Sequence, residues 1–434
     1  MNERPLPTHR VTRFGKFASL AVRVAGNVVA EGSKRWVKGE RPQARDLVLT
    51  PKNINHLTDQ LAHLRGAAMK LGQMLSMDAG DLIDPELAGI LSRLRSNADP
   101  MAAKQFAKTM SEGLGGNWKS QFLAFNFKPV ASASIGQVHH AYSDRGDELA
   151  VKVQYPGIKK SIDSDVDNVG TLLGLVGFIP KGVDYKGLLE EAKVQLHAEA
   201  DYKRESVFAT QFKQMLQDDP DFAVPTVFPE CSSQTVLAME YLHGNPIEDL
   251  EESDQETKDF VITKLIGLLF REIFEFRLVQ TDPNFANYLY LPETKQIGLL
   301  DFGATRTYDE NISQGYRKVF SSVLGDDQDG LNKALEQIGF FSVGILHCQR
   351  QAILDLVSMA CEPMLVDGAY HFGQSGLAQR LREAGTVLSM DRDYWHAPPA
   401  DALFLHRKIG GLYLLAARLN ANVNVKALID PFLT

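Results

Sequence analysis

The sequence has no long uninterrupted hydrophobic run and very little cysteine. Its longest apolar stretch, residues 171–180, is well short of the ~20 residues that a membrane-spanning helix requires. We therefore predict no transmembrane segment. The three cysteines show neither metal-ligand nor disulfide spacing, which favours a reducing compartment. Internal repeats and low-complexity segments are also absent.

The overall composition is ordinary, but the charged residues are unevenly distributed along the chain. Hydrophobic residues make up 44% and charged residues 23% of the 434 residues, as in typical globular proteins. Residues 1–45 contain ten Lys or Arg residues and three Glu residues, a net charge of +7, so the remaining residues carry −15 of the total charge of −8. The chain therefore begins with a distinctly basic segment.

Within this segment, residues 14–30 have the pattern of a basic amphipathic helix. The apolar positions at helical spacing are Phe17, Leu20, Ala21, Val24 and Val28, with Lys16 and Arg23 beside them. Such a helix suits an anionic membrane surface, near which each basic residue contributes about 1 kcal/mol. Docking of the apolar face on the protein itself is an equally weighted alternative. A transit peptide is a third interpretation, which Glu3 and the early prolines weaken.

Two short acidic motifs in the second half of the chain carry the strongest chemical signal. Residues 281–287 read Thr-Asp-Pro-Asn-Phe-Ala-Asn and are followed by an apolar run and then by Asp-Phe-Gly at 301–303. This spacing is typical of the nucleotide–magnesium site of protein-kinase-like folds. Asn287 and Asp301 would supply the hard oxygen ligands that Mg²⁺ requires. Asp282 would face the acceptor hydroxyl or water and act as the catalytic carboxylate.

A kinase-like site also requires a lysine on an upstream strand. Residues 149–153 read Leu-Ala-Val-Lys-Val, and this alternation predicts a half-buried strand. Lys152 is expected to contact the α- and β-phosphates of the nucleotide. The preceding loop, where kinases carry several glycines, is rich in Ala and Ser and contains only Gly136. Because alanine restricts the close backbone approach that glycine permits, we expect the nucleotide to be bound differently than in ordinary kinases.

Five motifs in order extend this interpretation to a family. They are Lys70-Leu71-Gly72-Gln73, Ala131-Ser132-Ala133-Ser134, Glu199-Ala200-Asp201, Gln280-Thr281-Asp282-Pro283-Asn284 and Leu300-Asp301-Phe302-Gly303-Ala304-Thr305-Arg306. From about residue 55 onward the chain thus resembles the UbiB family of atypical protein-kinase-like proteins, in the branch linked to coenzyme Q biosynthesis that includes the mitochondrial ADCK proteins. Ser132 replaces the usual alanine of the family, and Gln280-Thr281 resembles the mitochondrial form.

The resemblance implies an atypical kinase-like ATPase that binds ATP or ADP with Mg²⁺ and supports ubiquinone (coenzyme Q) biosynthesis by hydrolysis or by phosphotransfer to a non-protein acceptor. The alternative is a nucleotide-switched lipid-binding chaperone or scaffold for the quinone-biosynthetic enzymes. A protein kinase proper is disfavoured, because no Ala-Pro-Glu element or phosphorylatable activation segment follows Arg306.

The expected partners are a nucleotide, an anionic membrane surface, lipid or quinone precursors and quinone-biosynthesis enzymes, but no nucleic acid. The expected location is cytoplasmic and peripheral to the inner membrane, with the matrix side of a mitochondrial membrane as the alternative.

The predicted fold class is α+β, mostly helical: a bilobal protein-kinase-like fold with an N-terminal helical extension packed over the active site. We divide the chain into the basic amphipathic segment 1–45, the helical Lys-x-Gly-Gln extension 46–118, an N-lobe at 119–238 and a C-lobe at 239–434. A hinge is expected where the lobes join, with backbone groups that bind the adenine edge. Its residues are Met239, Glu240, Tyr241 and Leu242.

The remaining site residues concern charge pairing in the first half of the chain. Lys70, Gly72 and Gln73 form the Lys-x-Gly-Gln motif, which by resemblance enters the active site in place of a protein substrate. A single long helix is expected at 185–215, with Glu199 and Glu205 as alternative partners of Lys152. Six residues apart on one helix, these two carboxylates would point in directions ~240° apart. Glu199 and Asp201, in the Glu-x-Asp motif, would alternatively engage Lys70.

Overall fold

The computed structural model describes residues 101–133, 135–176, 185–341, 344–390 and 399–433, together with residues 58, 61, 64, 66–72 and 90. The predicted basic segment 1–45, including its amphipathic helix, and the site residues Gln73 and Ser134 lie outside the described residues. Among the described residues, no helix combines the length and the apolar character needed to cross a bilayer.

Helices dominate the described residues, as predicted, and short strands accompany them, all of them antiparallel to their partners except the parallel pair β5 and β10. The strands are β1 (Phe122–Phe125), β2 (Ala131–Ser132), β3 (Gly136–Ser143), β4 (Glu148–Gln154), β5 (Phe222–Ala223), β6 (Val236–Glu240), β7 (Asn245–Pro246), β8 (Leu278–Gln280), β9 (Tyr288–Leu291), β10 (Gln296–Leu299), β11 (Thr305–Thr307), β12 (Tyr370–His371) and β13 (Asn422–Val423). The helices are α1 (Ala103–Leu114), α2 (Ile158–Val176), α3 (Tyr185–Glu199), α4 (Tyr202–Met215), α5 (Gln255–Arg271), α6 (Glu310–Leu324), α7 (Gln328–Ile338), α8 (His347–Ala360), α9 (Glu362–Leu365), α10 (Phe372–Ser375), α11 (Leu377–Met390), α12 (Ala400–Arg418) and α13 (Val425–Ile429).

These elements divide into two compact units. The first unit comprises the described residues up to Arg204 together with Val227–Tyr241, and the second comprises Glu205–Thr226 and the described residues from Leu242 onward. The mixed α+β class of the sequence-based prediction is confirmed. The four segments into which we divided the chain stay predictions.

An antiparallel sheet with the order β1-β3-β4-β6 forms the centre of the first unit, and β2 pairs with β3. Lys152 of β4 lies opposite Val138 on one side and Leu237 on the other. Residues directly opposite each other in antiparallel strands share a face of the sheet. Lys152 therefore lies on the same face as Leu237.

Both faces of this sheet are covered, which corrects the prediction of a half-buried strand. Leu149, Val151 and Val153 pack with α1 and with the aromatic residues around Trp118 on one face. On the other face, Leu237 belongs to a cluster formed by α2, α3 and the described residues between 61 and 72. Lys152 is consequently buried, with 8% of its surface exposed, because a second layer covers the face that the alternation assigned to solvent.

The long helix expected at 185–215 is also wrong, since the chain forms two helices, α3 and α4. Asp201 lies between them, and its Oδ1 accepts a hydrogen bond from the backbone N–H of Arg204 at 3.1 Å. This is the geometry of a helix N-cap, in which a side-chain oxygen satisfies a backbone donor that has no intrahelical partner. Glu199 and Glu205 therefore lie on different helices, and the expected angle of ~240° between them does not hold.

The second unit combines most of the helices with a four-stranded sheet in the order β5-β10-β9-β7 and a two-stranded sheet of β11 and β8. The apolar helix α5 continues into a π-helical turn at Glu272–Phe276. Arg277 then adopts a left-handed backbone conformation with φ of 50° and ends the helix. The chain thereby enters β8 and the motif that begins at Thr281.

Candidate functional site

The segment that contains Asp282 is a tight turn whose shape is fixed by its own polar side chains. The Asn284 side chain accepts a hydrogen bond from the N–H of Ala286 at 3.2 Å and caps a short 3₁₀ turn that ends at Asn287. Oδ1 of Asp282 accepts from the N–H of Asn284 at 3.4 Å. The Asp-Pro-Asn order thus serves local turn chemistry as well as the predicted catalysis. Asp282 is only partly buried.

A β-hairpin places Asn287 beside the segment that contains Asp301. Strands β9 and β10 pair with Tyr288 opposite Leu299. One further hydrogen bond, from the N–H of Leu300 to the carbonyl of Asn287 at 2.9 Å, extends this pairing past the end of the hairpin. Both predicted magnesium ligands therefore leave the hairpin at the same end. The residues that separate Asn287 from Asp301 in the sequence are therefore the residues of this hairpin.

The two motifs are also joined directly. Oγ1 of Thr281 donates to the carbonyl of Ala304 at 2.7 Å, and Thr305 of β11 pairs with Gln280 of β8. The residue before Asp282 is thus bound to the residue after the Asp-Phe-Gly motif. These contacts, one of them between residues 23 positions apart, hold the two motifs side by side in the second unit.

The Asp-Phe-Gly motif is anchored by its central residue. Phe302 has 1% of its surface exposed, and its ring lies 5.0 Å from the ring of Phe212 on α4. Oδ1 of Asp301 accepts from the N–H of Gly303 at 2.9 Å. Burial of the Phe302 ring holds the backbone of the motif, and the hydrogen bond from Gly303 orients the Asp301 carboxylate.

The donor set fits a magnesium ion that arrives with a nucleotide. Among the residues that the structure describes, no group of three or more His, Cys, Asp or Glu residues could hold a metal by itself. Mg²⁺ is usually bound by one or two protein oxygens together with substrate phosphates and water. Asn287 and Asp301, one amide and one carboxylate at one end of a hairpin, match that requirement and would not retain the ion tightly without phosphate.

A buried ion pair behind this constellation was missed in the sequence analysis. Nζ of Lys408 on α12 lies 3.3 Å from Oε2 of Glu272, and both side chains are almost fully buried. Burial raises the pKa of Glu272, and the Lys408 ammonium partly offsets that shift. Burial disfavours the charge of Lys408, but Glu272 and Tyr288 outweigh it, so the pKa of Lys408 is raised. At neutral pH Lys408 is therefore a buried cation.

In the first unit, the Lys-x-Gly-Gln motif and the Glu-x-Asp motif meet. Lys70 is helical and only 4% exposed, and its Nζ donates to Oε1 of Glu199 at 2.5 Å. Of the two partners that the sequence analysis offered to Glu199, the structure places Lys70 against it. Asp201 caps α4, and Glu205 is a buried residue of that helix. The pairing depends on contact between residues 129 positions apart in sequence.

The described residues of the Ala/Ser-rich loop, 131–133, lie beside β3 in the first unit's sheet. Ala131 and Ser132 are exposed in β2, and the N–H of Ala133 donates to the carbonyl of Gly136 at 3.0 Å. A Cβ atom on Gly136 would lie 2.5 Å from the carbonyl oxygen of Val153. This glycine therefore serves the close approach of β3 to β4, and it gives no indication of a glycine-lined phosphate cradle.

The predicted hinge begins inside the sheet. Met239 is buried and pairs with Ala150, and Glu240 pairs with Leu149. The N–H of Tyr241 donates to the carbonyl of Glu148 at 2.9 Å. An adenine edge bound at this segment would consequently use backbone groups other than the N–H of Tyr241. Leu242 follows as a partly buried residue.

Comparison with known proteins gives concordant matches. Residues 93–335 match the family described as the ABC1 atypical kinase-like domain. The chain is 37% identical over 421 residues to "Atypical kinase COQ8, mitochondrial" of Saccharomyces cerevisiae, covering 96% of this chain and 84% of the relative. It is 35% identical to "Atypical kinase COQ8B, mitochondrial" of Danio rerio over 98% of this chain and 68% of that protein. Among solved structures, the Rv3197–erythromycin complex from Mycobacterium tuberculosis matches with a TM-score of 0.60 and 27% identity over 88% of this chain and 95% of that one.

Proposed function

Because the chain belongs to the ABC1 atypical kinase-like family and is a homologue of the COQ8 proteins of the UbiB family, we propose that it is an atypical kinase-like ATPase that supports coenzyme Q biosynthesis. It would bind ATP or ADP with Mg²⁺ and hydrolyse ATP, or transfer its phosphoryl group to a non-protein acceptor. The observation that supports this proposal most strongly is the set of hydrogen bonds that brings the segments of Asp282, Asn287 and Asp301 together in the second unit.

Each residue of the proposed mechanism has a defined chemical task. Magnesium, when bound with the nucleotide, neutralises the phosphate oxygens on which charge develops. Asn287 and Asp301 would hold it. Asp282, partly exposed and fixed by its turn, would accept the proton of the attacking water or hydroxyl. Lys152 would contact the α- and β-phosphates, and the loop 131–134 with the segment 239–242 would contact the remaining nucleotide.

We further propose peripheral association with an anionic membrane through the basic segment 1–45. The two COQ8 relatives named above are mitochondrial proteins by name, which favours a mitochondrial-type membrane for this chain. Lipid or quinone precursors and other quinone-biosynthetic enzymes are the proposed partners.

Turnover by the purified protein tests the proposed function. With Mg-ATP we expect sustained ADP release, and we expect anionic vesicles together with a phenolic quinone precursor to increase the rate. A deletion strain should accumulate a quinone precursor and recover when the chain is returned. Nucleotide-dependent binding of lipid without any turnover would instead support the scaffold alternative and contradict an ATPase.

Truncation of Lys70 tests the proposed role of the Lys-x-Gly-Gln motif. If the motif excludes unwanted acceptors, Lys70→Ala should permit self-phosphorylation, because the substitution removes the hydrogen bond from Lys70 to Glu199 and loosens the helical segment that carries the motif. Incubation with labelled ATP, followed by electrophoresis, measures this.

The matched control for Lys70 is Lys193→Ala. Lys193 lies on α3, the helix that carries Glu199, and pairs at the surface with Asp167 and Glu190. This control should remain unlabelled, like the wild type. A Lys70→Ala protein whose labelling and ATPase rate both equal those of the wild type would refute the proposed role.

A further inference from the structure

Helix α12 presents one continuous face to the two segments that carry the proposed catalytic motifs. Asp401, Phe404, Lys408 and Gly411 recur at intervals of three or four residues, so they lie on one side of the helix. Each of them contacts β8, β11 or the turn that follows β8, all within the second unit.

The first turn of α12 binds the strand that follows the Asp-Phe-Gly motif. The guanidinium of Arg306 on β11 donates through Nε to Oδ1 of Asp401 at 2.8 Å, and its Nη2 lies 2.7 Å from the same oxygen. The guanidinium carbon also lies 4.3 Å from the centre of the Phe404 ring. The hydroxyl of Tyr308 donates to the carbonyl of Asp401 at 2.7 Å. The end of the Asp-Phe-Gly segment is thereby fixed to the helix by charge and by ring contact.

The middle of α12 binds the residue that leads into the turn of Asp282. Nζ of Lys408 donates to the backbone carbonyl of Gln280 at 2.8 Å and to its Oε1 at 3.2 Å. Glu272, the counterion of Lys408, accepts from the N–H of the same Gln280 at 3.3 Å. The ion pair thus contacts both backbone groups of the residue two positions before Asp282. A buried ion pair contributes little net stability by itself, but this one specifies the position of a backbone segment.

About one helical turn after Lys408, α12 contacts the segment that carries Asp282. A Cβ atom on Gly411 would lie 2.3 Å from Cβ of Pro283, the residue after Asp282. Carbon atoms that are not bonded to each other do not approach this closely, and the ring of a proline cannot rotate away as a flexible side chain can. The absence of a side chain at position 411 therefore permits α12 to support the turn from behind.

From these contacts we propose that α12 positions the catalytic turn, with Lys408 and Gly411 as positioning residues for Asp282. Lys408 binds Gln280, which precedes Asp282, and Gly411 packs against Pro283, which follows it. The geometry of Asp282 relative to its reactants then depends on a helix more than a hundred residues later in the chain. This inference rests on the proposed function of Asp282 for its effect on turnover, whereas the support of the turn itself does not.

A pair of adjacent glycines provides a sharp test. Gly411→Ala should displace Pro283 and lower kcat by about 10- to 100-fold, since a misplacement of about 1 Å can cost about 100-fold in rate, while KM for ATP stays within about threefold of the wild-type value. Gly410→Ala is the matched control, because a Cβ atom there has nothing within 4 Å and the change in helix propensity is the same. This control should keep the wild-type kcat.

Hydrogen–deuterium exchange over residues 278–287 gives a readout that does not require turnover. We expect faster exchange there in Gly411→Ala and unchanged exchange in Gly410→Ala. If the wild-type protein hydrolyses no ATP, the proposed function fails, and the exchange measurement still decides the positioning role. Equal kcat and equal exchange in the two alanine variants would overturn the inference.

The double variant Glu272→Gln/Lys408→Met tests the contact of the ion pair with Gln280. It removes both charges, so that neither is left buried and unpaired. It should show the same loss of kcat and the same faster exchange at 278–287, with KM nearly unchanged. Arg418→Met is its control, because Arg418 lies on the same helix but pairs at the surface with Glu248 and Glu251. If Arg418→Met lowers kcat as much as the double variant does, the effect is a general loss of stability and the inference fails. Should the double variant not fold, the two glycine variants decide the question alone.

Discussion

Asp301→Asn is expected to abolish the Mg²⁺-dependent stabilisation of the protein by ADP. The substitution removes the negative charge of a proposed magnesium ligand, and an amide is a much weaker ligand for a hard cation. Asparagine keeps an Oδ1 atom that can accept from the N–H of Gly303, as Asp301 does at 2.9 Å. The turn of the Asp-Phe-Gly motif should therefore survive the substitution.

Thermal unfolding with and without Mg-ADP measures this loss. A ligand at about 100 times its Kd stabilises the folded state by about 2.7 kcal/mol, and Asp301→Asn should lose nearly all of that gain. Asp329→Asn, the same charge change at an exposed position in the second unit, serves as the control and should respond like the wild type. An undiminished shift in Asp301→Asn would show that Asp301 does not bind magnesium.

Asp282→Asn is expected to remove turnover while nucleotide binding is retained. A positioned general base typically contributes about 10²- to 10⁴-fold to the rate, so kcat should fall by that order. Asparagine preserves the acceptor that receives the N–H of Asn284, and the turn should keep its shape. The expected signature is a lowered kcat with a wild-type response to Mg-ADP.

Asp282→Asn and Asp301→Asn are expected to differ in nucleotide binding. The first should bind Mg-ADP without turnover, and the second should lose both. Steady-state ADP release and thermal unfolding on the same preparations separate the two roles. If Asp282→Asn retained kcat within about threefold of the wild type, a contribution of the size expected for a general base would be excluded at this position.

The arrangement within the proposed catalytic motifs was predictable because it is largely local. Asn287 and Asp301 are separated by two short strands and a turn, and the strand pairing that joins them involves neighbouring segments of chain. The Asp-Pro-Asn turn likewise depends on side chains that bind their own backbone. The mixed α+β class and the family could be identified from ordered motifs for the same reason. Each of these signals is contained in a few consecutive residues.

Two expectations failed where a competing interaction decided the outcome. The continuous helix at 185–215 was interrupted because the Asp201 side chain caps a new helix, a preference that Asp residues have in any sequence. The half-buried strand around Lys152 was wrong because the described residues between 61 and 72, with α2 and α3, cover the second face of the sheet. Asp201 was a signal in the sequence for the helix break, whereas nothing in the sequence indicated that the second face of the sheet is covered.

By itself, the sequence determined the family, the fold class and the order of the chemical groups in the candidate site. Only the tertiary structure decided that Glu199 pairs with Lys70, that Lys408 is a buried cation bound to Gln280, and that Gly411 lies against Pro283. Each of these contacts joins residues that are more than a hundred positions apart. Periodicity and motif spacing describe how a chain interacts with itself over one or two elements. Which distant side chain neutralises a buried charge, and which helix closes on a turn, depends on the packing of the whole unit.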